Sequence, residues 1–218
     1  MIKDFDLLQR ANNDYTTIDL EHAEELAYRE LIDSIRYIPL GDECGVMGNI
    51  ANIITYKGRF YIQEEQFDRV FIYDDTGRCL KKIDNKGRGP GEYLRIESID
   101  INTEKEELML VDGMSDKLFF YDLDGNFKSI HSIRYFQTEN TLCLRDSVFL
   151  HISAPSQNFG NEGLYGYALV LSKGNENFLK GYRYLPLQVG YKGGGQIFKG
   201  YERSCYHPIY SDTIYLNQ

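Results

Sequence analysis

The sequence predicts an all-β fold made of repeated four-stranded antiparallel sheets, and three observations carry that expectation. The chain repeats itself at a spacing of about 48 residues. The stretch Phe60-Tyr61-Ile62 through Tyr73-Asp74-Asp75-Thr76-Gly77-Arg78 aligns without a gap on Leu108-Met109-Leu110 through Tyr121-Asp122-Leu123-Asp124-Gly125-Asn126. A second marker keeps the same period: Ile35-Arg36-Tyr37-Ile38-Pro39-Leu40 recurs as Ile133-Arg134-Tyr135-Phe136 and as Tyr182-Arg183-Tyr184-Leu185-Pro186-Leu187. Composition agrees, with 18 Tyr, 12 Phe and 20 Gly against 5 Pro and no Trp. Aromatic and β-branched residues suit a pleated, half-buried surface, and glycine supplies tight turns. Self-similarity of this length marks blade-like repeats.

The elements follow in order. Residues 1–32 are polar and stand outside the repeat. Glu21 to Leu31 contains good helix formers with Asp19 placed to cap them, which predicts a short helix. A second domain, 33–218, then alternates short strands with turn residues. Four segments share one grammar, a polar turn followed by a β-branched or aromatic run: 57–62, 105–111, 145–150 and 211–216. Each reads as the second strand of a sheet. A third strand follows in the first two repeats, Val70-Phe71-Ile72-Tyr73 and Leu118-Phe119-Phe120-Tyr121. Turns at Thr76-Gly77 and Asp124-Gly125 then lead into a fourth. Residues 153–167 and Gly190-Tyr191-Lys192-Gly193-Gly194-Gly195 read as loops.

Four-stranded units with polar turns fit a β-propeller better than a solenoid, since propeller blades are antiparallel sheets around a central channel. The chain holds about 3.5–4 blades at this spacing, near the lower limit of ring closure. The last unit is expected to stop after its second strand and leave Ile214 and Tyr215 on an open edge, which natural sheets avoid. The expectation is an incomplete propeller, the N-terminal portion of a larger ring, with a self-pairing oligomer as the alternative.

A formal net charge of −9 disfavours nucleic acid and anionic surfaces as partners. No apolar run approaches the roughly 18 residues needed to span a bilayer, and the first residues lack a secretory signal. Cys44, Cys79, Cys143 and Cys205 have no metal-ligand spacing. Buried free thiols are expected, and a disulfide in an oxidising compartment is the alternative.

Tyr37-Ile38-Pro39-Leu40, the blade around Tyr73-Asp74-Asp75-Thr76-Gly77, the turn Gly87-Arg88-Gly89-Pro90-Gly91-Glu92-Tyr93 and the hairpin Tyr121-Asp122-Leu123-Asp124-Gly125-Asn126-Phe127 together resemble the bacterial six-bladed β-propeller proteins. These are relatives of the NHL-repeat propellers and mostly have no assigned function. The resemblance covers roughly residues 17–135 well and the remainder loosely. It implies export to the periplasm or cell envelope, if the chain begins short of a signal segment, and a turn at 87–93 that links the outer strand of one blade to the inner strand of the next. It supplies no catalytic residues.

The candidate chemistry reads mostly as structure. The 87–92 segment lacks the Lys-Ser/Thr ending of a phosphate cradle, and Pro90 removes a donor, so a turn is expected. Glu92 is placed to satisfy backbone donors there, and Tyr93 to pack between blades. Asp122-Leu123-Asp124-Gly125-Asn126 resembles a calcium loop but has Ile133 where the closing carboxylate belongs, so a hairpin is expected, as for Asp74 and Asp75. His22, His131, His151 and His207 share no ligand spacing, and His207, preceding Pro208, is expected in a loop. The tyrosines of the second half (165, 167, 182, 184, 191, 201, 206, 210 and 215) suit inter-blade packing before carbohydrate stacking.

No catalytic residue, metal ligand, cofactor or particular binding residue is assigned. The sequence reads as a non-enzymatic binding scaffold that presents one ring face to a protein or glycan ligand. The alternative is a hydrolase or lyase with a calcium-type metal in the channel, which requires acidic, Asn or His side chains to converge near the starts of the inner strands.

Overall fold

The computed structural model describes residues 3–4, 32–133, 138, 140–145, 148–152, 167–174, 177–183, 196–199, 204–207 and 215–216. Every regular element among them is a β-strand. The helix expected over 21–31 lies outside the described residues, as do most of 153–167 and all of 190–195.

Strand β1 is Lys3–Asp4. The first blade is β2 (Ile50–Tyr56), β3 (Arg59–Glu64), β4 (Arg69–Asp74) and β5 (Cys79–Ile83), paired in that order and antiparallel throughout. The second is β6 (Ser98–Asn102), β7 (Glu107–Asp112), β8 (Lys117–Asp122) and β9 (Phe127–Ser132). The third is β10 (Asn140–Arg145), β11 (Val148–Ile152), β12 (Tyr167–Lys173) and β13 (Asn177–Arg183), with β1 added parallel to the outer edge of β13. A three-stranded antiparallel sheet follows, β14 (Gln196–Lys199), β15 (Ser204–His207) and β16 (Tyr215–Leu216).

Local chemistry explains the hairpins. Lys57 and Gly58 both take positive φ, 47° and 71°, between the paired residues Tyr56 and Arg59. That is the two-residue turn whose twist matches flanking strands. Asp74 Oδ1 accepts the N–H groups of Thr76 and Arg78, and Asp122 Oδ1 accepts those of Asp124 and Asn126 one repeat later. Both carboxylates close their own hairpins, as the sequence predicts, and are taken up by turn donors.

The sheets stack face to face through two cores. Tyr61, Val70, Ile72 and Ile83 of the first blade meet Ile99, Leu108, Leu110, Phe119 and Tyr121 of the second, with Tyr93 and Ile96 of the connection between them. Met109, Val111, Leu118 and Phe120 meet Cys143 and Phe149 of the third. Inner strand β6 packs between β2 and β10 and is buried along its whole length, whereas β2 is mostly exposed. Arg59 Nη1 reaches across the first interface to the Leu123 carbonyl at 2.8 Å and Asp124 Oδ1 at 2.7 Å, and Lys57 pairs with Glu106 beside it.

The remaining face of the first blade is covered by the chain itself. Residues 36–47 run across it as a strap, so that Ile62, Phe71, Tyr73 and Cys79 pack with Cys44, Met47 and Phe60. The Gly41 N–H donates to the Gly77 carbonyl, Tyr73 Oη donates to the Gly41 carbonyl, and a disulfide joins Cys44 to Cys79 with Cα atoms 6.0 Å apart.

Three expectations are corrected. Cys44 and Cys79 are bonded rather than free, because the strap folds back over 35 residues of sequence; Cys143 is a buried free thiol. The 211–216 segment supplies β16, the third strand of its sheet and not the second, because β14 and β15 both precede it. His207 ends β15 instead of lying in a loop. The first copy of the Arg-Tyr marker also departs from its partners: Ile35–Leu40 is outside any strand, whereas Tyr182 and Arg183 end β13.

Candidate functional site

The first two blades meet at one rim in a polar cleft of about 230 Å³ lined by Ala51, Gln63, Glu65, Asp68, Arg95, Ile96 and Glu97. Its parts come from strands β2 and β3, the β3–β4 turn and the 84–97 connection. Antiparallel pairing brings the end of β5 beside the start of β4, Val70 opposite Ile83, so the connection leaves next to that turn.

The connection is held from its own residues. Glu92 Oε2 accepts the Gly89 N–H at 2.7 Å and lies only 1.9 Å from where a Cβ on Gly87 would stand, which explains the glycine. Glu92 therefore satisfies a backbone donor, and Tyr93 lies between blades, as the sequence predicts. Tyr93 Oη donates to the Asp68 carbonyl at 2.8 Å and accepts the Asn85 N–H at 3.1 Å. Burial pushes this phenol well above its ordinary range.

The cleft wall is tied to both blades. Gln63, 3% exposed, donates through Nε2 to the Ile96 carbonyl at 3.0 Å. Asp68 Oδ1 accepts the Ile96 N–H at 3.1 Å, and Oδ2 pairs with Lys86. Asp112 accepts the N–H groups of Leu94, Met114 and Ser115 and the Ser115 hydroxyl. Glu64, one repeat before Asp112, is fully buried; its Oε2 accepts the Phe67 N–H, while Oε1 has no hydrogen-bond partner among the described residues. At the mouth, Arg95 Nε lies 3.2 Å from Glu97 Oε1 beside exposed Glu65. Among the described residues no group of three His, Cys, Asp or Glu side chains could hold a metal ion.

A second polar group lies within the third blade. His151 Nδ1 is 2.9 Å from Thr141 Oγ1, and Nε2 is 2.8 Å from Ser172 Oγ. The pairing of hydroxyl and imidazole resembles a nucleophile with its base. Yet His151 is 1% and Ser172 2% exposed, so no substrate reaches them, and burial pulls the imidazole down to about 3. The ring is neutral, one nitrogen donating and the other accepting, and it joins three strands. His131 is half-buried against Phe120, ring centroids 4.8 Å apart, and burial lowers it too. His22 and most of the tyrosine cluster lie outside the described residues; Tyr167 packs in β12.

Sequence reasoning missed the cleft. Gln63, Arg95 and Glu97 belong to no motif, and only the folded connection sets them together. The offset between Glu64-Asp68 and Asp112-Asp116 was the available signal, since it marks a repeated acidic turn at one rim.

Stacked four-stranded antiparallel blades with inner strands side by side define a β-propeller. The chain belongs to the family described as "Domain of unknown function (DUF4934)", whose model matches residues 15–217. No curated protein matches it. Among solved structures it is similar to a protein of Bacteroides fragilis NCTC 9343 described as exported, with TM-score 0.73 and 19% identity over 83% of this chain and 51% of that one. It is also similar to a member of the DUF4221 family from Bacteroides vulgatus ATCC 8482, with TM-score 0.50 and 11% identity over 79% of this chain and 55% of that one. The chain thus spans about half the length of these structures, and at such identities the likeness is one of fold. No helix among the described residues is long and apolar enough to cross a membrane.

Proposed function

We propose that the chain is a non-enzymatic binding module of an exported bacterial propeller of the six-bladed, NHL-like kind, and that the rim cleft between its first two blades receives a protein or glycan ligand. The observation that carries this reading is the state of the polar groups around the cleft. Gln63 and Asp112 are taken up by donors and acceptors of residues 94–115, and Asp68 is divided between the Ile96 N–H and the Lys86 ammonium, so these groups build the wall. Arg95, Glu97 and Glu65 stand at the mouth, where charge selects partners.

Export is supported by the Cys44–Cys79 disulfide, since such bonds persist in oxidising compartments. The similar Bacteroides fragilis protein is described as exported, which agrees. The channel-metal hydrolase or lyase has no observation in its favour among the described residues.

The test is a glycan array together with affinity capture from a bacterial envelope extract. The expected result is a ligand whose affinity falls at least tenfold in Arg95→Glu and that is released unchanged. Chemical turnover of the bound ligand, or a ligand indifferent to Arg95→Glu, overturns the proposal.

A further inference from the structure

The mouth of the rim cleft leaves two charges of opposite sign open. Glu65 is exposed, and its carboxylate makes no hydrogen bond or ion pair among the described residues. Arg95 meets Glu97 through Nε at 3.2 Å, and its two terminal nitrogens donate to no group among the described residues. The other acids of the wall are engaged: Asp68 holds the Ile96 N–H and Lys86, and Glu97 holds Arg95. A ligand here therefore meets one free carboxylate and one planar fork of N–H donors, the group that grips a carboxylate through two parallel bonds.

Two apolar side chains flank these charges, one from each blade. Phe67 stands in the β3–β4 turn, 45% exposed, and Met114 in the β7–β8 turn, 66% exposed. The two turns repeat one another, with Asp68 and Asp116 both at positive φ, 56° and 53°. The second turn reaches the cleft through Gly113, where a Cβ would stand 2.6 Å from Glu97 Cγ. Phe67 is exposed yet held. Its N–H donates to Glu64 Oε2 at 3.2 Å, and the Arg69 guanidinium lies 4.5 Å from its ring centroid while pairing with Asp84 at 3.1 Å. A side chain already held loses little freedom when a partner covers it.

This combination selects among ligands. Arginine, methionine and aromatic residues are the types enriched where proteins meet, and methionine adapts to the shape laid on it. A neutral saccharide would cover Glu65 and Arg95 with hydroxyls alone, and charges taken from water without an opposite charge to meet them are costly. A uniformly basic segment would bring like charge to Arg95, and a uniformly acidic one to Glu65 and Glu97. A segment with a basic and an acidic side chain close together, and an apolar residue on either side, suits every open group.

We infer that the rim cleft takes a protein segment of mixed charge, with a Lys or Arg against Glu65, an Asp or Glu on the Arg95 fork, and flanking apolar side chains over Phe67 and Met114. The inference rests on the reading that this cleft is the binding site, and it narrows the ligand to a protein.

The experiment offers the full chain an array of synthetic peptides that carry adjacent Lys and Glu between Leu residues. Beside them stand peptides with two Lys, with two Glu, or with Ser in place of Leu, and a glycan array is run on the same sample. The expected result is binding of the mixed-charge, Leu-flanked peptides, about tenfold weaker for the other three groups and for the Phe67→Ser/Met114→Ser chain. Glu65→Lys should exchange the preference, so that two-Glu peptides bind it more tightly than mixed ones. Ile130→Lys, at an exposed apolar site on β9, is the control and should bind as the native chain does. Equal binding of the three charge patterns overturns the inference. So does an unchanged preference in Glu65→Lys, or undiminished binding by the Phe67→Ser/Met114→Ser chain. A glycan bound instead of peptides, and weakened by Arg95→Glu, overturns the inference while the cleft remains a binding site; no ligand on either array removes both.

Discussion

Gly77 and Gly125 lie one repeat apart, both with positive φ, 87° and 79°, and each has another element where its Cβ would stand. For Gly77 the obstacle is the Pro39 carbonyl oxygen at 2.1 Å; for Gly125 it is Ile72 Cδ1 and Lys81 Cγ, both at 2.9 Å. One clash is with backbone and the other with side-chain atoms that can move.

Gly77→Ala should therefore cost more than Gly125→Ala. We expect about 2–3 kcal/mol for the first and about 1–2 for the second, from backbone strain plus steric displacement. Gly58→Ala, with φ 71° and open space around it, isolates the strain alone at about 1 kcal/mol. Urea denaturation of the three variants decides the order, and equal losses would show that the strap does not press on this turn.

The disulfide should be a large part of the strap's hold. For a loop of 35 residues, loss of the Cys44–Cys79 bond is expected to lower stability by about 3–4 kcal/mol. Denaturation of a Cys44→Ser/Cys79→Ser chain against wild type measures this. Alkylation of the native, unreduced protein should leave Cys44 and Cys79 unlabelled; labelling at either would contradict the pairing.

His151 makes stability depend on pH. Its folded value, about 3, lies below the unfolded value near 6.5, so the unfolded chain binds the extra proton between them. The contribution is complete above about pH 6.5 and is lost as pH falls toward 3. Between pH 7 and pH 5 the loss is about 2 kcal/mol. His151→Asn should flatten that part of the profile while lowering stability at pH 7, because Thr141 or Ser172 loses its partner. An unchanged slope would remove His151 from the account.

Tyr93→Phe should cost about 1–3 kcal/mol, since it leaves the Asn85 N–H and the Asp68 carbonyl without their shared hydroxyl. Thermal melts give the stability loss. Faster amide exchange at Asn85 should accompany it, and protection equal to wild type would count against the bond.

The blades were legible because their causes are local. The 48-residue offset, the Asp-centred hairpins and the apolar runs of β4 and β8 depend on neighbours close in sequence, and the structure bears them out. The strap was not legible. Ile35-Arg36-Tyr37 shares its spelling with the ends of outer strands, but pairing needs a neighbour in space, and no pattern records whether one is present. The Cys44–Cys79 bond and the Gln63–Ile96 contact failed for the same reason, as each is set by how the chain returns across a blade already formed. In the sheet β14-β15-β16, turn grammar located β16 correctly, but strand order required β14 and β15, whose runs lacked that grammar.

Ile96 is gripped from both sides, its carbonyl by Gln63 and its N–H by Asp68, while Arg59 spans the same two blades at Leu123 and Asp124. Prising the blades apart at either place would rupture several bonds together. The opening between them therefore has a fixed calibre.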